Sequence, residues 1–495
     1  MPEIIRTYEE LARLIKQNYT NPDLDLVRRA YELAERAHRE EKRLTGQPFV
    51  THPLAVAWSL ATMGLSVHVV AAGLLHDVVE DTGIEIEDLR NEFGDDVASL
   101  VAAVTKLKKV KYTGVDRYVE NLRKMFLAMA SDVRVVFIKF ADRVHNLQTL
   151  YAQPKYKQQR IAKEVMEIYA PIASRLGMGE MKGELEDLAF MYLLPKEYER
   201  VKGIMEAKVR ERGAHVSHVI EVIEGMLSEA DIGCLAVHGR VKRLYSLSRK
   251  LERYQNDISK IHDLIAVRIV VGDVEECYAV LGLIHHRWKP LPGRIKDYIA
   301  QPKPNGYQSL HTTVFTEHGN IVEFQIRTQE MHDLAEYGVA AHWRYKEGGA
   351  KQIKNLRWME DLAMIQKELA EKKDFLEQLE IMKIDVFKDR IFVFTPKGDV
   401  IDLPEGSTPI DFAYAIHTRI GDTCVSAKVN DTVINLDSAL RSGDIIEIIT
   451  DKNRRGPNPD WLKFAQTRHA RDKIKDGTKL TVKGWFANRI NGRGA

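Results

Sequence analysis

Apolar residues recur at helical spacing through most of the first 195 residues. Leu26, Ala30 and Leu33 fall on one face of a helix, and the run EIYAPIASRLGMGEMKGELEDLAFMYLL (167–194) continues the same period. Pro195 closes this region, and a charged helical stretch follows to about Ser228. The pattern predicts an all-α domain at the start of the chain.

The pattern changes after this helix. Two short β-branched runs, HDLIAVRIVVG (262–272) and NIVEFQIRT (320–328), predict strands, so this part of the chain is α/β or α+β. Short apolar runs return later, and VFKDRIFVFTPKGDVIDLP has a Pro-Lys-Gly-Asp turn that predicts a hairpin. We predict five regions in chain order: an all-α domain (1–195), an α/β (α+β) domain (196–347), a charged helical linker (348–384), a small β-rich domain (385–450) and a basic helical tail (451–495).

Composition narrows the class of protein. The chain has 495 residues, too many for one core, and its 44% hydrophobic and 29% charged residues are ordinary for a folded protein. Collagen-like, mucin-like and wholly disordered chains are excluded. The three cysteines lie far apart, which removes a disulfide framework and a Cys-rich zinc site. No run is long enough to span a membrane, and the N-terminus lacks an apolar signal segment, so we expect a reducing, cytoplasmic compartment.

Charge is distributed unevenly. Residues 452–495 hold 12 Lys and Arg against 3 Asp and Glu, whereas the rest of the chain is mildly acidic. A basic tail on an acidic body favours contact with a polyanion. A solvated charged tail explains the same excess equally well.

A set of histidines and aspartates in the helical region has the composition of a metal site. It comprises two imidazoles and two carboxylates: His52, His76, Asp77 and Asp142. Such a mixed set suits Mn²⁺, Fe²⁺ or Zn²⁺ and leaves positions open for water and substrate. Glu80 and Asp81 follow one helical turn after the His-Asp pair, where one of them can orient or deprotonate a water. The alternative is a polar contact inside the core.

A second set lies in the α/β region. Period two places Glu323, Gln325 and Arg327 on one face of a strand, and Asp263 opens another strand. Two carboxylates beside a basic patch form a Mg²⁺–nucleotide site. The basic and aromatic candidates are Arg240, Lys242, Arg243, Lys250, Arg294, Lys296, Lys303 and Tyr307. The alternatives are a solvated basic face and a structural loop tyrosine.

The strings HDVVEDT and DRVHNLQTL resemble the HD metal-dependent phosphohydrolases and, within them, the Rel/SpoT family of guanosine tetra- and pentaphosphate, (p)ppGpp, synthetase–hydrolases. The resemblance implies an all-α HD domain in which His52, His76, Asp77 and Asp142 bind Mn²⁺. It implies that Glu80 and Asp81 position the attacking water, with Arg43 and Asn146 near the nucleotide. One departure is Glu40-Glu41, where the family has a Gly-Gln pair.

The segment 239–347 is similar to the Rel/SpoT synthetase domain, a nucleotidyltransferase-like fold that moves pyrophosphate from ATP to the 3′-hydroxyl of GDP or GTP. The resemblance implies that Asp263 and Glu323 bind Mg²⁺, that Glu323 helps to deprotonate that hydroxyl, and that Tyr307 stacks on guanine. It also implies that Arg240, Lys242 and Lys250 hold ATP phosphates. Further nucleotide contacts are expected from Arg243, Arg294, Lys296, Lys303, Gln325 and Arg327.

Residues 385–450 resemble a TGS domain, a small β-grasp-like fold that contacts deacylated tRNA on the ribosome in this family. His417 matches the tRNA-contacting histidine; a packing histidine is the alternative. The resemblance therefore predicts a cytoplasmic, bifunctional alarmone synthetase–hydrolase. Two rival hypotheses are a synthetase with a weakened hydrolase, and a tRNA- or ribosome-binding regulator with vestigial catalytic domains.

Overall fold

Eleven helices form the first part of the chain within the residues that the structure describes. They are α1 (Tyr8–Asn18), α2 (Leu24–Ala37), α3 (Thr51–Thr62), α4 (Val67–Leu75), α5 (Val78–Asp81), α6 (Ile86–Phe93), α7 (Asp95–Lys108), α8 (Arg134–Gln148), α9 (Lys155–Glu164), α10 (Ala170–Arg175) and α11 (Gly179–Leu193). The structure is a computed structural model that describes residues 5–108, 125, 128, 132–261, 263–303, 306–344, 390–441, 443–454 and 456–478. It divides into two units, residues 1–363 and 364–495, each treated by itself below.

The helical region forms as the apolar spacing predicts. Helix α2 begins where the Asp23 side chain accepts the Leu26 backbone N–H at 2.9 Å, and its predicted apolar face is buried. Helices α4 and α8 are buried on nearly every side, which places them at the centre of the region. A π-helical turn, Val165–Tyr169, joins α9 to α10. Tyr169, the last residue of this turn, is buried.

The first unit continues with a long helix and a mixed sheet. Helix α12 (Pro195–Glu229) begins with proline at its first position, where the missing N–H is not needed. The sheet has the order β1-β2-β6-β5-β3, with β4 paired to β5, and only the β2–β6 pair is parallel. Its strands are β1 (Cys234–Val241), β2 (Ile265–Val271), β3 (Lys289–Pro290), β4 (Lys296–Asp297), β5 (Leu310–Phe315) and β6 (Ile321–Thr328). The helices around it are α13 (Leu244–Arg253), α14 (Val274–Arg287), α15 (Gln329–Tyr337) and α16 (Val339–Arg344).

The two faces of this sheet differ in chemistry. Phe324 and Ile326 of β6 are fully buried in one apolar core with residues of α12 and α14. The period-two pattern turns Glu323, Gln325 and Arg327 to the other face. The sheet therefore separates a hydrophobic core from a polar face, and the three predicted site residues of β6 lie on the polar face.

The second unit contains the predicted hairpin, β7 (Arg390–Phe394) with β8 (Val400–Pro404), and a three-stranded sheet in the order β10-β9-β11. The latter strands are β9 (Cys424–Val429), β10 (Thr432–Ile434) and β11 (Ile446–Thr450); helices α17 (Pro409–Ile416) and α18 (Thr418–Asp422) precede them. The predicted order of an all-α, an α/β and a small β-rich region is thus confirmed. The predicted linker 348–384 lies outside the described residues.

The segment after β11 packs on this small fold. Trp461 and Ile474 are buried with Ile410 and Tyr414 in one cluster. The buried Asp411 carboxylate accepts the backbone N–H groups of Thr408, Gln466 and Thr467 at 2.7–2.9 Å. Because four donors, including the Thr408 hydroxyl, satisfy this carboxylate, it fixes the start of α17 and the later segment together. Among the described residues, no helix is both long and apolar enough to cross a lipid bilayer.

Candidate functional site

The His76-Asp77 pair lies between two helices. The sequence predicts one helix through residues 76–81, but α4 ends at Leu75 and α5 begins at Val78. The His76 side chain donates through Nδ1 to the Gly73 carbonyl at 2.7 Å, taking one of the acceptors that a helix end leaves open. The Asp77 carbonyl then accepts the N–H groups of Glu80 and Asp81 at 3.0 Å. The break turns both members of the pair into the core.

The structure brings the four predicted metal ligands together. His52 Nε2 lies 3.3 Å from Asp142 Oδ1 and 3.5 Å from Asp77 Oδ2. His76 Nε2 lies 3.2 Å from Asp77 Oδ1 and 4.0 Å from Asp142 Oδ1. None of the four is more than 4% exposed. Ligand atoms from His52, His76 and Asp142 all lie within 4.8 Å of one another, as a single bound ion requires.

These residues fit a divalent metal ion. The buried Nε2 atom of His76 makes no hydrogen bond within the described part of the chain, and a metal would satisfy it. Burial lowers the pKa of His52, and burial is also the largest cause that lowers the pKa of His145 to about 2. Burial raises the pKa of Asp142, but Lys139 and His52 outweigh it and hold that pKa well below its usual value. Neutral imidazoles beside an ionised carboxylate are the forms that bind metal.

A cavity of about 600 Å³ opens beside this cluster. Its walls carry both signs of charge, as a metal-assisted phosphate site needs: cationic Lys42, Arg43, Lys139 and Arg143, and acidic Asp77, Glu80, Asp81, Asp142 and Glu164. Glu80 and Asp81, the predicted water-positioning pair, are exposed side chains on the cavity wall.

Arg43 and Asn146 are connected to the metal cluster. Arg43 donates to Asn146 Oδ1 at 3.3 Å and to Thr149 Oγ1 at 3.1 Å. Asn146 in turn donates through Nδ2 to Asp142 Oδ1 at 2.5 Å. The two residues predicted to contact nucleotide therefore lie at the cavity wall and orient a metal ligand at the same time.

The second predicted site begins at Asp263. Its Oδ2 atom accepts a hydrogen bond from Lys242 Nζ at 2.7 Å and another from Lys250. Burial raises the pKa of Asp263, but the two ammonium groups outweigh burial and lower it to about 2. The two lysines therefore bind the same Asp263 oxygen, on a residue predicted to be a Mg²⁺ ligand.

Glu323 interacts electrostatically with Asp263 and belongs to a chain of hydrogen bonds on the polar face. Arg240 donates to Gln325 Oε1 at 3.3 Å, and Gln325 Nε2 donates to Glu323 Oε1 at 3.0 Å. His311 Nδ1 lies 3.4 Å from the same Glu323 oxygen. Burial raises the pKa of Glu323, but hydrogen bonds from His311 and Gln325 outweigh it and leave that pKa below its usual value. Glu323 is therefore held as a carboxylate.

Tyr307 is part of an aromatic group at the edge of this site. Its hydroxyl lies 2.8 Å from His311 Nε2, and its ring packs edge-on against Tyr298 at 6.0 Å. Lys303 Nζ lies 4.8 Å from the centre of the Tyr307 ring and 4.6 Å from that of Tyr298. Burial and the positive charge of Lys296 lower the pKa of Lys303 to about 8. A nucleobase that stacks on this face of Tyr307 has to displace Lys303.

Three other predicted nucleotide contacts have different surroundings. Arg243 makes an ion pair with Glu180 of α11, and so connects the α/β region to the helical region. Arg327 is only 1% exposed and donates to Glu336 at 2.8 Å. Arg294 is exposed two residues before β4. Within β4, Lys296 is the strand-pairing partner of His311 on β5.

His417 begins α18 in the second unit. Its Nδ1 accepts the Arg419 backbone N–H at 3.1 Å, so in the neutral ring the proton lies on Nε2. The side chain is exposed, which leaves that N–H available to a partner.

Known families match three stretches of the chain in the predicted order. An HD domain covers residues 30–179, the region found in RelA / SpoT proteins covers residues 239–350, and a TGS domain covers residues 391–450. A bifunctional (p)ppGpp synthase/hydrolase SpoT of Escherichia coli K12 is 45% identical over 94% of this chain and 67% of its own length. The chain belongs to the RelA/SpoT family.

Two further comparisons define the extent of the likeness. A GTP pyrophosphokinase of Myxococcus xanthus is 44% identical over 93% of this chain, which spans 61% of that protein. The chain thus spans about three fifths of the length of several RelA/SpoT relatives. A solved metazoan orthologue of SpoT that hydrolyses ppGpp is 26% identical over 36% of this chain, with a TM-score of 0.28.

The structure places further residues beside the two predicted sites that the sequence patterns did not identify. His311 connects Tyr307 to Glu323, and Lys139 lies 3.7 Å from Asp142. Arg268 is 5% exposed on β2, opposite Gln325 of β6. A charged residue within the apolar run IAVRIVV is itself a signal, because a buried arginine needs a partner.

Proposed function

We propose that this chain makes (p)ppGpp by transferring pyrophosphate from ATP to the 3′-hydroxyl of GDP or GTP, and hydrolyses it at a second site. The observation that supports the proposal is that candidate metal ligands come together in two separate regions of the chain. His52, His76, Asp77 and Asp142 converge in the HD region, and Asp263 and Glu323 lie in the RelA/SpoT region. The complete hydrolase cluster argues against the weakened-hydrolase hypothesis. Because ATP, GTP and ribosomes are cytoplasmic, we propose that compartment.

Hydrolysis breaks the bond between the 3′-oxygen and phosphorus and returns GDP or GTP plus pyrophosphate. We assign Mn²⁺ to the buried cluster, where the cation would supply Lewis-acid charge and acidify a water. Glu80 and Asp81 lie on the wall of the same cavity, where they can hold that water and take its proton. Arg43 and the other cations of the wall hold the phosphates.

Synthesis forms a bond between the deprotonated 3′-hydroxyl and the β-phosphorus of ATP and breaks the bond from that phosphorus to the α–β bridging oxygen, so that AMP leaves. Asp263 and Glu323 would hold a Mg²⁺ ion, which would neutralise charge on the phosphates. Triphosphate binding would draw Lys242 and Lys250 away from Asp263 and release its oxygen for the metal. Glu323 can accept the hydroxyl proton, and Tyr307 provides a flat surface for guanine.

Thin-layer chromatography of labelled nucleotides tests the proposed pair of activities. With γ-labelled ATP, GDP and Mg²⁺, we expect a labelled guanosine tetraphosphate, because the γ-phosphate is part of the transferred pyrophosphate. With that product and Mn²⁺, we expect labelled pyrophosphate. A chain that forms no product in the first reaction and releases none in the second would instead support the regulator hypothesis.

The TGS region is proposed to bind deacylated tRNA on the ribosome. The exposed Nε2–H of His417 can donate to an RNA oxygen, and its ring can stack on a base. We expect His417→Asn to weaken binding to ribosomes carrying deacylated tRNA by about tenfold, within the range for loss of one stacking contact. Cosedimentation over a protein titration measures the apparent Kd.

This substitution separates recognition from helix capping. Asparagine keeps an acceptor for the Arg419 N–H, so α18 retains its first hydrogen bond. His469→Asn is the matched control, since it removes another exposed histidine of the same unit. Equal affinities for the two variants would refute the assigned contact.

A further inference from the structure

Both imidazoles of the metal cluster turn Nε2 inward and Nδ1 outward. The Nδ1 of His76 donates to a backbone carbonyl, Gly73, at 2.7 Å. The Nδ1 of His52 lies 2.9 Å from Nδ1 of His145, a residue outside the predicted ligand set. The outer partners of the two ligands therefore differ in kind, because a carbonyl only accepts whereas an imidazole nitrogen accepts or donates.

That difference decides which tautomer each ligand adopts. The Gly73 carbonyl fixes the proton of His76 on Nδ1, leaving the Nε2 lone pair for a metal. Binding of the proposed ion through His52 Nε2, which lies 3.3 Å from Asp142 Oδ1, requires the same tautomer, because a protonated Nε2 has no lone pair to give. His52 Nδ1 must then donate, and His145 Nδ1 must accept with its own proton on Nε2.

We propose that His145 is a positioning residue that holds His52 in the metal-binding tautomer, with the Nε2 lone pair directed at the ion. The proposal rests on the metal centre of the proposed function. Hydrogen bonding to the outer nitrogen of a ligating histidine orients the ring and raises its basicity as a ligand. His145 itself contributes no atom to the ion.

The fold gives His145 a defined place. It follows Asp142 by three residues on α8, so the same helical face presents one ligand and the support of another. The rings of His145 and His52 have centroids 5.0 Å apart, and both residues are nearly inaccessible to solvent. Water therefore cannot replace the missing acceptor when the imidazole is removed.

Calorimetric titration of the full chain with Mn²⁺ tests this role without substrate. We expect His145→Leu to weaken Mn²⁺ binding by about 10- to 100-fold, the effect typical of losing an outer partner of a metal ligand. His145→Asn should bind within about threefold of the wild-type chain, because the asparagine oxygen reaches the place of Nδ1 and accepts the same hydrogen bond.

Two controls separate the possible outcomes. Val144→Ala removes packing from the neighbouring buried position of α8 and should leave Mn²⁺ affinity unchanged, although it lowers the melting temperature. His76→Ala should abolish binding; if it does not, the metal centre of the proposed function is wrong. If His76→Ala abolishes binding while His145→Leu binds normally, or while His145→Asn is as weak as His145→Leu, only the role of His145 is refuted.

Discussion

Asp77→Asn is expected to reduce Mn²⁺-dependent hydrolysis of guanosine tetraphosphate by about 10³-fold while leaving synthesis within about twofold of wild type. Asparagine keeps the size of this buried residue but replaces a carboxylate ligand with a neutral amide. A metal centre supplies several kcal/mol of charge stabilisation, and about 4 kcal/mol corresponds to about 10³-fold in rate. The synthesis residues lie in another region of the chain and keep their contacts.

The stability of this variant provides an independent test. Without metal, the carboxylates of Asp77 and Asp142 both lie within 4.0 Å of Nε2 of His52 and Nε2 of His76, so the two negative charges are close together. Removing one charge relieves repulsion, so the metal-free variant should melt at or above the wild-type temperature. Wild type should gain stability as Mn²⁺ is added, because the ion binds the folded state, and Asp77→Asn should gain little. Hydrolysis at the wild-type rate, or the same Mn²⁺-induced shift, would refute the ligand assignment.

The local patterns predicted most elements but not the break at His76. The apolar period runs through residues 67–79, and nothing in it predicts that His76 takes the Gly73 carbonyl. That hydrogen bond depends on the orientation of the His76 side chain at the end of the helix, which the apolar period does not determine. The His and Asp residues could still be grouped from the sequence, because their types have few other reasons to occupy apolar segments.

Positions that depend on partners from distant segments could not be predicted. Arg243 belongs to the basic string beside the synthesis site, yet it pairs with Glu180 of α11. Arg268 is the one charged residue in the otherwise apolar strand β2, and it pairs with Glu336 of α15 at 3.1 Å. The role that we propose for His145 depends on its contact with His52, 93 residues earlier in the chain. Each of these pairings depends on packing between elements, which residue periodicity does not encode.

Glu323 carries the sharpest test of the second site. Glu323→Gln should lower pyrophosphate transfer by about 10²–10⁴-fold, the cost of losing a positioned base. The carboxylate lies in a hydrogen-bonded group with Gln325 and His311, and its pKa is below the ordinary value, so it is ionised throughout the neutral range. Glutamine keeps the side-chain length and an acceptor for these neighbours, but it neither holds Mg²⁺ strongly nor accepts the proton.

Rates of synthesis and hydrolysis from one preparation of Glu323→Gln distinguish catalysis from folding. The control is Thr313→Val, because Thr313 is the buried residue of β5 that pairs with Glu323, and this change removes no carboxylate. Gln325→Glu is unsuitable because it adds a charge. Thr313→Val should retain synthesis within about tenfold of the wild-type rate. Hydrolysis should remain at the wild-type rate in Glu323→Gln, since the predicted hydrolase ligands all come before α9 in the chain. Synthesis within a few-fold of wild type would overturn the role of Glu323, and loss of both activities would show that the substitution disturbs the fold of the first unit.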